Sequence, residues 1–136
     1  MRTQAREAVL KLLFSKLFDN AADEHSKHIL YCEFNLNDED KAFAESLYTT
    51  SFDKFDEINE EISKISNSYS SQRIFKVDKC AMVMSIAEMN YLNTPKVVAI
   101  DEAVKLVKKY STENSVNFVN GILAAYKNNA EVEKVD

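Results

Sequence analysis

The side chains best suited to bind a metal ion lie in an acidic stretch near the N-terminal end. His25 and His28 are three residues apart and would share one face of a helix, with Glu24 beside them. Cys32 follows four residues later, but the second cysteine, Cys80, is far along the chain. Surface histidines are much more common than metal ligands, so we expect no metal, no cofactor and two reduced thiols.

Signals for catalysis are few. A glycine-rich phosphate-binding loop is excluded because the chain contains a single glycine. Asp101 and Glu102 are adjacent in sequence, so their carboxylates would diverge around a helix and make a poor acid–base pair. We therefore expect that this protein is not an enzyme.

Charge is divided unevenly along the chain, whose formal net charge is -5. Residues 1–18 carry four bases and one acid, and residues 63–130 carry nine bases and five acids. Residues 19–62 carry thirteen acids and three bases. The overall acidity argues against generic nucleic-acid binding. Folding could still bring the two basic parts together and form one positive face on an acidic body.

Composition favours a helical fold in one domain. The 136 residues are 46% apolar, enough to bury one core, and they include one Gly and one Pro. Sandwiches and barrels need many turns rich in these residues, whereas long helices joined by short loops need few. No apolar run approaches the roughly 18 residues that span a bilayer, so we expect a cytoplasmic protein without membrane contact.

Apolar residues spaced by three or four predict where the helices lie. The predicted helices cover residues 3–18, 24–34, 41–66, 77–92, about 96–110 and 112–126. Residues 41–66 could form one bent helix or two. The next-to-last helix could begin with Pro95 in its first turn and Thr94 as its cap, or near Asp101. Residues 77–92 are apolar nearly all round, which indicates a central helix. The polar end predicts a domain over residues 1–127 and a C-terminal tail over residues 128–136.

Two motifs in the second half have a specific pattern. Residues 98–110 read V-A-I-D-E-A-V-K-L-V-K-K-Y, and residues 115–123 read S-V-N-F-V-N-G-I-L. Upstream, Val77-Asp78-Lys79 precedes Ile86, Glu88 and Met89, and residues 5–8 read A-R-E-A. These motifs resemble those of the NusB family of transcription antitermination factors. The strong match covers residues 77–124, and the rest of the chain is similar in helix pattern only.

The resemblance implies both a fold and a function. NusB-like proteins are all-α, and we expect a compact bundle of about seven helices. They bind boxA sequences in nascent RNA and pair with NusE, the ribosomal protein that doubles as a transcription factor. The pair joins other Nus factors on RNA polymerase and suppresses termination, chiefly in ribosomal RNA operons.

The resemblance also implies which residues bind each partner. The expected contacts with boxA-like RNA come from Arg2, Arg6, Ser115 and Asn117, and those with NusE come from Phe14 and Asp78. Arginines at a helix start can neutralise phosphates close to free amide donors. Phe14 could equally be a core residue, and Asp78 could be an acid favoured at a helix start by the helix dipole.

Several departures from the family pattern remove basic residues or a glycine. Thr3 and Gln4 interrupt the arginine-rich motif, Val97 stands where a base is common, and Ser111 replaces a glycine that could cap a helix. Fewer phosphate contacts should weaken RNA binding, so an alternative is a protein-interaction module with weak or lost RNA binding. The family glycine is retained at Gly121, where we expect another backbone to approach closely.

Overall fold

The structure, a computed structural model, describes residues 2–17, 24–69 and 74–135. Over these residues it is all-helical, which confirms the expected fold class and the expected number of helices. The helices are α1 (Arg2–Lys16), α2 (Glu24–Glu33), α3 (Asp38–Asp53), α4 (Phe55–Tyr69), α5 (Lys76–Tyr91), α6 (Lys96–Tyr110) and α7 (Glu113–Val135). The predicted end of the first helix at Phe18 lies outside the described residues, as does Asp136.

Helix α5 is the centre of the bundle, as its sequence predicted. Every residue from Cys80 to Glu88 is buried, and α5 packs against α1, α3, α4, α6 and α7. Met82 and Met84 are fully buried, so these two methionines fill the core and do not form a surface groove.

Helix α1 lies between α3 and α5 and buries most of its length. Residues Ala5 to Leu10 are all buried, as are Leu12 and Leu13. A helix with apolar residues around so much of its surface contacts several neighbours at once.

Two boundaries that the sequence left open are resolved. The segment 41–66 forms two helices that meet at Lys54, whose backbone N–H still donates to Thr50. Helix α6 starts at Lys96, directly after Pro95, whose fixed φ suits a helix start. The hydroxyl of Thr94 does not cap α6, because it donates to Glu88 instead.

The last helix is longer than we expected. Its backbone continues to Val135, through the segment predicted as a polar tail. Residues 127–135 contain neither Gly nor Pro, so nothing in them ends a helix. Among the described side chains of α7, the last fully buried one is Leu123. In the described part of the chain, no helix is long and apolar enough to cross a membrane.

Candidate functional site

An apolar groove lies between the end of α1, the start of α5 and the corner between α6 and α7. It has a cavity volume of about 580 Å³. We call it the Phe14 groove, and it is lined by Phe14, Ile74, Phe75, Lys76, Val77, Tyr110, Ser111 and Thr112. A smaller cavity of about 220 Å³ adjoins it and adds Leu10 and Lys11 to the lining.

The chemistry of the Phe14 groove suits an apolar side chain from another protein. Its surface is mostly apolar, and Phe75 at its edge is 57% exposed, although most large apolar residues are covered. Exposed apolar surface of this kind typically marks a site of protein association. Lys11 and Lys76 add positive charge to the lining.

Asp78 follows directly after the groove residue Val77 but is itself buried, with 2% of its surface exposed. Its Oδ2 accepts a hydrogen bond of 2.6 Å from the hydroxyl of Ser115. Its Oδ1 is buried and has no hydrogen-bond partner among the described residues. The structure therefore joins a predicted NusE contact, Asp78, to a predicted RNA contact, Ser115.

Ser115 contacts two other hydroxyl groups at the corner between α6 and α7. Its Oγ lies 2.9 Å from the Oγ of Ser111 and 3.0 Å from the Oγ1 of Thr112. Thr112 Oγ1 also accepts from the backbone N–H of Ser115, which is the bond of a helix N-cap. Ser111 has extended backbone angles, so this chain does not use a left-handed cap at the site of the missing glycine.

Tyr110, on the same wall of the groove, is held by α1. Its hydroxyl donates a hydrogen bond of 2.8 Å to Glu7, which also accepts from the ammonium group of Lys109. Glu7 is buried, with 6% of its surface exposed. Burial and the hydrogen bond to Glu7 together raise the pKa of Tyr110, so its hydroxyl stays a donor.

Arg6 is buried in the bundle and does not face solvent. Its Nε and one terminal nitrogen donate to the two carboxylate oxygens of Glu88 at 2.8 and 2.7 Å, and Glu102 lies 3.4 Å from the other nitrogen. A paired guanidinium of this kind ties α1 to α5 and α6. Contact with a phosphate would require Arg6 to leave these carboxylates.

The other two predicted RNA contacts are accessible. Arg2 is exposed, and its guanidinium carbon lies 4.5 Å from the ring centroid of Phe43 on α3. Asn117 is exposed on α7. The structure thus separates the four predicted residues into an accessible pair and a buried pair, Arg6 and Ser115, and their role in RNA binding stays a prediction.

The sequence-based candidates for metal binding do not form a cluster. His28 Nε2 and Cys32 Sγ are 3.7 Å apart on the exposed side of α2, and within the described ranges no three potential ligands come together. Both cysteines are free thiols. Burial raises the pKa of the Cys80 thiol to about 12.

Several residues of the site were missed by reading the sequence. Glu7, Tyr110 and Thr112 were not assigned to it, although all three shape the α6–α7 side of the groove. Glu7 and Tyr110 are more than 100 positions apart, so no local pattern could pair them. Phe75 had a weak signal, since it is an aromatic residue just before the central helix.

Comparison with known proteins gives a consistent result over nearly the whole chain. A family model described as the NusB family matches residues 3–128. Transcription antitermination protein NusB of Thermoanaerobacter sp. (strain X514) is 36% identical over 135 residues, covering 98% of this chain and 94% of that protein. The protein of the same name from Borreliella burgdorferi is 32% identical, covering 88% and 92%.

Solved structures resemble the fold over the same extent. NusB of T. maritima superimposes with a TM-score of 0.79 and 31% identity, covering 92% of this chain and 89% of that one. A chain in the crystal structure of antitermination factors NusB and NusE in complex with dsRNA gives a TM-score of 0.78 and 27% identity, covering 91% and 93%.

Proposed function

Since this chain belongs to the NusB family of transcription antitermination proteins, we propose that it pairs with ribosomal protein NusE and binds boxA-like RNA. In this role it acts without catalysis and reaches RNA polymerase through other Nus factors. The observation that carries the proposal is the Phe14 groove, an open and mostly apolar surface between α1, α5 and the corner of α6 and α7.

The groove supports the protein half of the proposal. Phe14 lines both the groove and the adjoining cavity, so an apolar side chain of NusE placed there would contact it. Asp78 lies behind the groove wall and acts there through Ser115. Because such pockets concentrate binding energy in a few buried contacts, we assign Phe14 the largest share.

A titration of NusE against wild type, Phe14→Ala and Asp78→Lys tests this half. We expect Phe14→Ala to weaken binding at least about 10-fold, since it removes the central apolar contact. Asp78→Lys should weaken it further by placing an unpaired ammonium behind the wall. Ile29→Ala is the control for loss of an apolar side chain, because Ile29 is exposed on α2, away from the groove. Equal NusE binding by wild type, Phe14→Ala and Asp78→Lys would refute the interface.

The proposed binding of RNA depends on fewer cations than the family's arginine-rich motif contains. We assign the direct RNA contacts to Arg2 and Asn117, which are exposed. Arg6 and Ser115 are buried and hydrogen-bonded to other residues of the bundle. Affinity for RNA falls with each phosphate contact that is lost. We therefore expect weak binding by this chain alone and tighter binding by its complex with NusE.

Fluorescence anisotropy of a labelled boxA RNA tests the RNA half, with and without NusE, at low and near-physiological salt. We expect NusE to tighten binding, and Arg2→Ala to weaken it and to lower the salt slope by about 0.7, the value for one phosphate contact with a single strand. Lys64→Ala, which removes an exposed cation from the acidic helix α4, should leave the slope unchanged.

The burial of Arg6 favours one alternative, a protein-interaction module with weak or lost RNA binding. The same titrations separate the two functions. Retained NusE binding without RNA binding in any condition would support the module, whereas a steep salt dependence of RNA binding would exclude it.

A further inference from the structure

We propose that Glu7 and Asp78 are positioning residues, two buried carboxylates that hold the corner Tyr110–Thr112 as a fixed wall of the Phe14 groove. This inference rests on the proposed function of the groove. Neither carboxylate lines the groove, yet each is hydrogen-bonded to the corner that does. They therefore act on a partner through other side chains.

Glu7 holds the first residue of the corner. Its carboxylate accepts from the hydroxyl of Tyr110 and from the ammonium group of Lys109, which follow each other at the end of α6. The ring of Tyr110 lines the groove and the adjoining cavity. Because the Tyr110 hydroxyl is hydrogen-bonded to Glu7 on α1, the position of the ring is fixed. The same bond ties the α1 side of the groove to the α6 side.

Asp78 holds the rest of the corner through a chain of hydroxyls. Ser115 has one hydroxyl proton, and the 2.6 Å bond assigns it to the carboxylate of Asp78. The nearby hydroxyls of Ser111 and Thr112 must then be the donors in their contacts with Ser115. Ser111 and Thr112 therefore donate to Ser115, which in turn donates to Asp78. This chain of hydrogen bonds fixes the orientation of Ser111 and Thr112, which both line the groove.

Burial of these carboxylates is costly for stability alone. Glu7 has Lys109 as a counter-charge, but the side chain of Lys109 is 62% exposed, so this ion pair compensates the buried carboxylate only weakly. Asp78 receives one hydrogen bond among the described residues and keeps a buried oxygen without a partner. A wall fixed before binding lowers the entropy lost when a partner docks, which gives both groups a functional reason.

A double-mutant cycle on NusE affinity tests the Glu7 arm, using Glu7→Ala, Tyr110→Phe and the double variant. We expect each single change to weaken binding about 3- to 10-fold, the value of one hydrogen bond, and the double variant to bind no more weakly than the worse single variant. Glu7→Gln keeps an acceptor for Tyr110 and should recover most of the affinity lost in Glu7→Ala.

Tyr126→Phe is the matched control for the loss of a tyrosine hydroxyl. That hydroxyl is bonded to Asn90 and does not line the Phe14 groove, so its removal should not change NusE affinity. Tyr110→Phe keeps the test valid if Glu7→Ala fails to fold, because it removes a single oxygen atom. Wild-type affinity in Tyr110→Phe, or effects that multiply in the double variant, would overturn the proposal for Glu7.

The Asp78 arm is tested by Ser115→Ala, Asp78→Ala and Asp78→Asn. Ser115→Ala and Asp78→Ala should each weaken NusE binding about 3- to 10-fold, because each breaks the hydroxyl chain. Asn keeps an oxygen that accepts from Ser115, so Asp78→Asn should recover affinity relative to Asp78→Ala. If Asp78→Asn binds as weakly as Asp78→Ala, the charge meets the partner directly and the positioning role is wrong.

Failure of this inference differs from failure of the proposed function. Suppose that Phe14→Ala weakens NusE binding but the Tyr110, Ser115 and Asp78 variants give the results named above as contradicting the proposal. The groove is then the interface, but Glu7 and Asp78 do not fix its wall before NusE binds. If Phe14→Ala has no effect, the interface itself is elsewhere, whatever the other variants do.

Discussion

Arg6 and Glu7 are neighbours on α1, and each joins that helix to a different part of the protein. Arg6 is bonded to Glu88 on α5 and reaches Glu102 on α6, whereas Glu7 is bonded to the end of α6. Two adjacent residues of a helix point about 100° apart, so one short motif can bond two neighbours. The resemblance had assigned Arg6 to RNA, but its contacts in the structure are those of a core residue.

Loss of the Arg6 side chain should destabilise the protein strongly. Arg6→Ala leaves Glu88, whose side chain is 2% exposed, without its counter-charge, and breaking a buried pair in this way costs about 3–5 kcal/mol. Urea denaturation of the wild type and the variant measures the change in the free energy of unfolding. The double variant Arg6→Leu/Glu88→Leu should recover most of the loss, since apolar residues of similar volume can replace a buried ion pair.

Arg2→Ala is the matched control for Arg6→Ala, because Arg2 lies one turn earlier and is exposed. Its removal should change the free energy of unfolding by no more than about 0.5 kcal/mol. An Arg6→Ala variant that unfolds like wild type but loses RNA affinity would show instead that Arg6 is an RNA contact.

At the scale of the helices, periodicity predicted where most elements lie. The apolar stripe of α4 and the all-round apolar character of α5 follow directly from their sequences. The break at Lys54 could not be placed from the sequence, because no Gly or Pro near it marks the end of a helix; in the structure, both α3 and α4 pack against α5. The length of α7 was underestimated because polarity was taken as a sign of fraying.

The expectation for the packing around Gly121 in α7 was wrong. We expected a close backbone approach, but among the described residues a Cβ added to Gly121 would meet no atom within 4 Å beyond the backbone of its own helix. The residue lies on the exposed side of α7, eight positions from its start. The protein's own packing therefore does not require glycine there.

Gly121→Ala should stabilise the protein. Alanine in the middle of an exposed helix is favoured over glycine by about 0.5–1 kcal/mol, and no steric cost opposes it here. Thermal and urea denaturation should both show the increase, and Ala125→Gly on the same helix is the reverse control, with a loss of similar size. A decrease in stability for Gly121→Ala would mean that the surface near Gly121 is packed in solution.

At the scale of the whole molecule, the candidate site combines parts that the sequence could and could not indicate. The family resemblance named Phe14 and Asp78 as NusE contacts and Ser115 as an RNA contact. In the structure all three belong to the groove or its support. The hydrogen bond from Tyr110 to Glu7 depends on how the fold brings the end of α6 within reach of α1, which no residue pattern specifies. Glu7 and Tyr110 were missed because they are far apart in the sequence, although the hydrogen bond between them is an ordinary one.

The proposed domain, residues 1–127, predicts that the last nine residues can be removed. Every fully buried side chain described on α7 lies at or before Leu123, and Tyr126 is the last that packs partly against the core. Ser115, which serves the groove, is about 20 Å along the helix from residue 128, at about 1.5 Å per residue. A chain that ends at Lys127 should therefore have a free energy of unfolding within about 1 kcal/mol of the wild-type value and bind NusE equally well.

A shorter chain provides the control for this truncation. Ending at Gly121 removes Ile122 and Leu123, which are both buried, and should cost several kcal/mol through the cavity they leave. If the chain ending at Lys127 is destabilised as strongly as the shorter one, the end of α7 belongs to the folded domain. If it folds normally but loses NusE affinity, the segment 128–136 contacts the partner, and the interface extends well beyond the Phe14 groove.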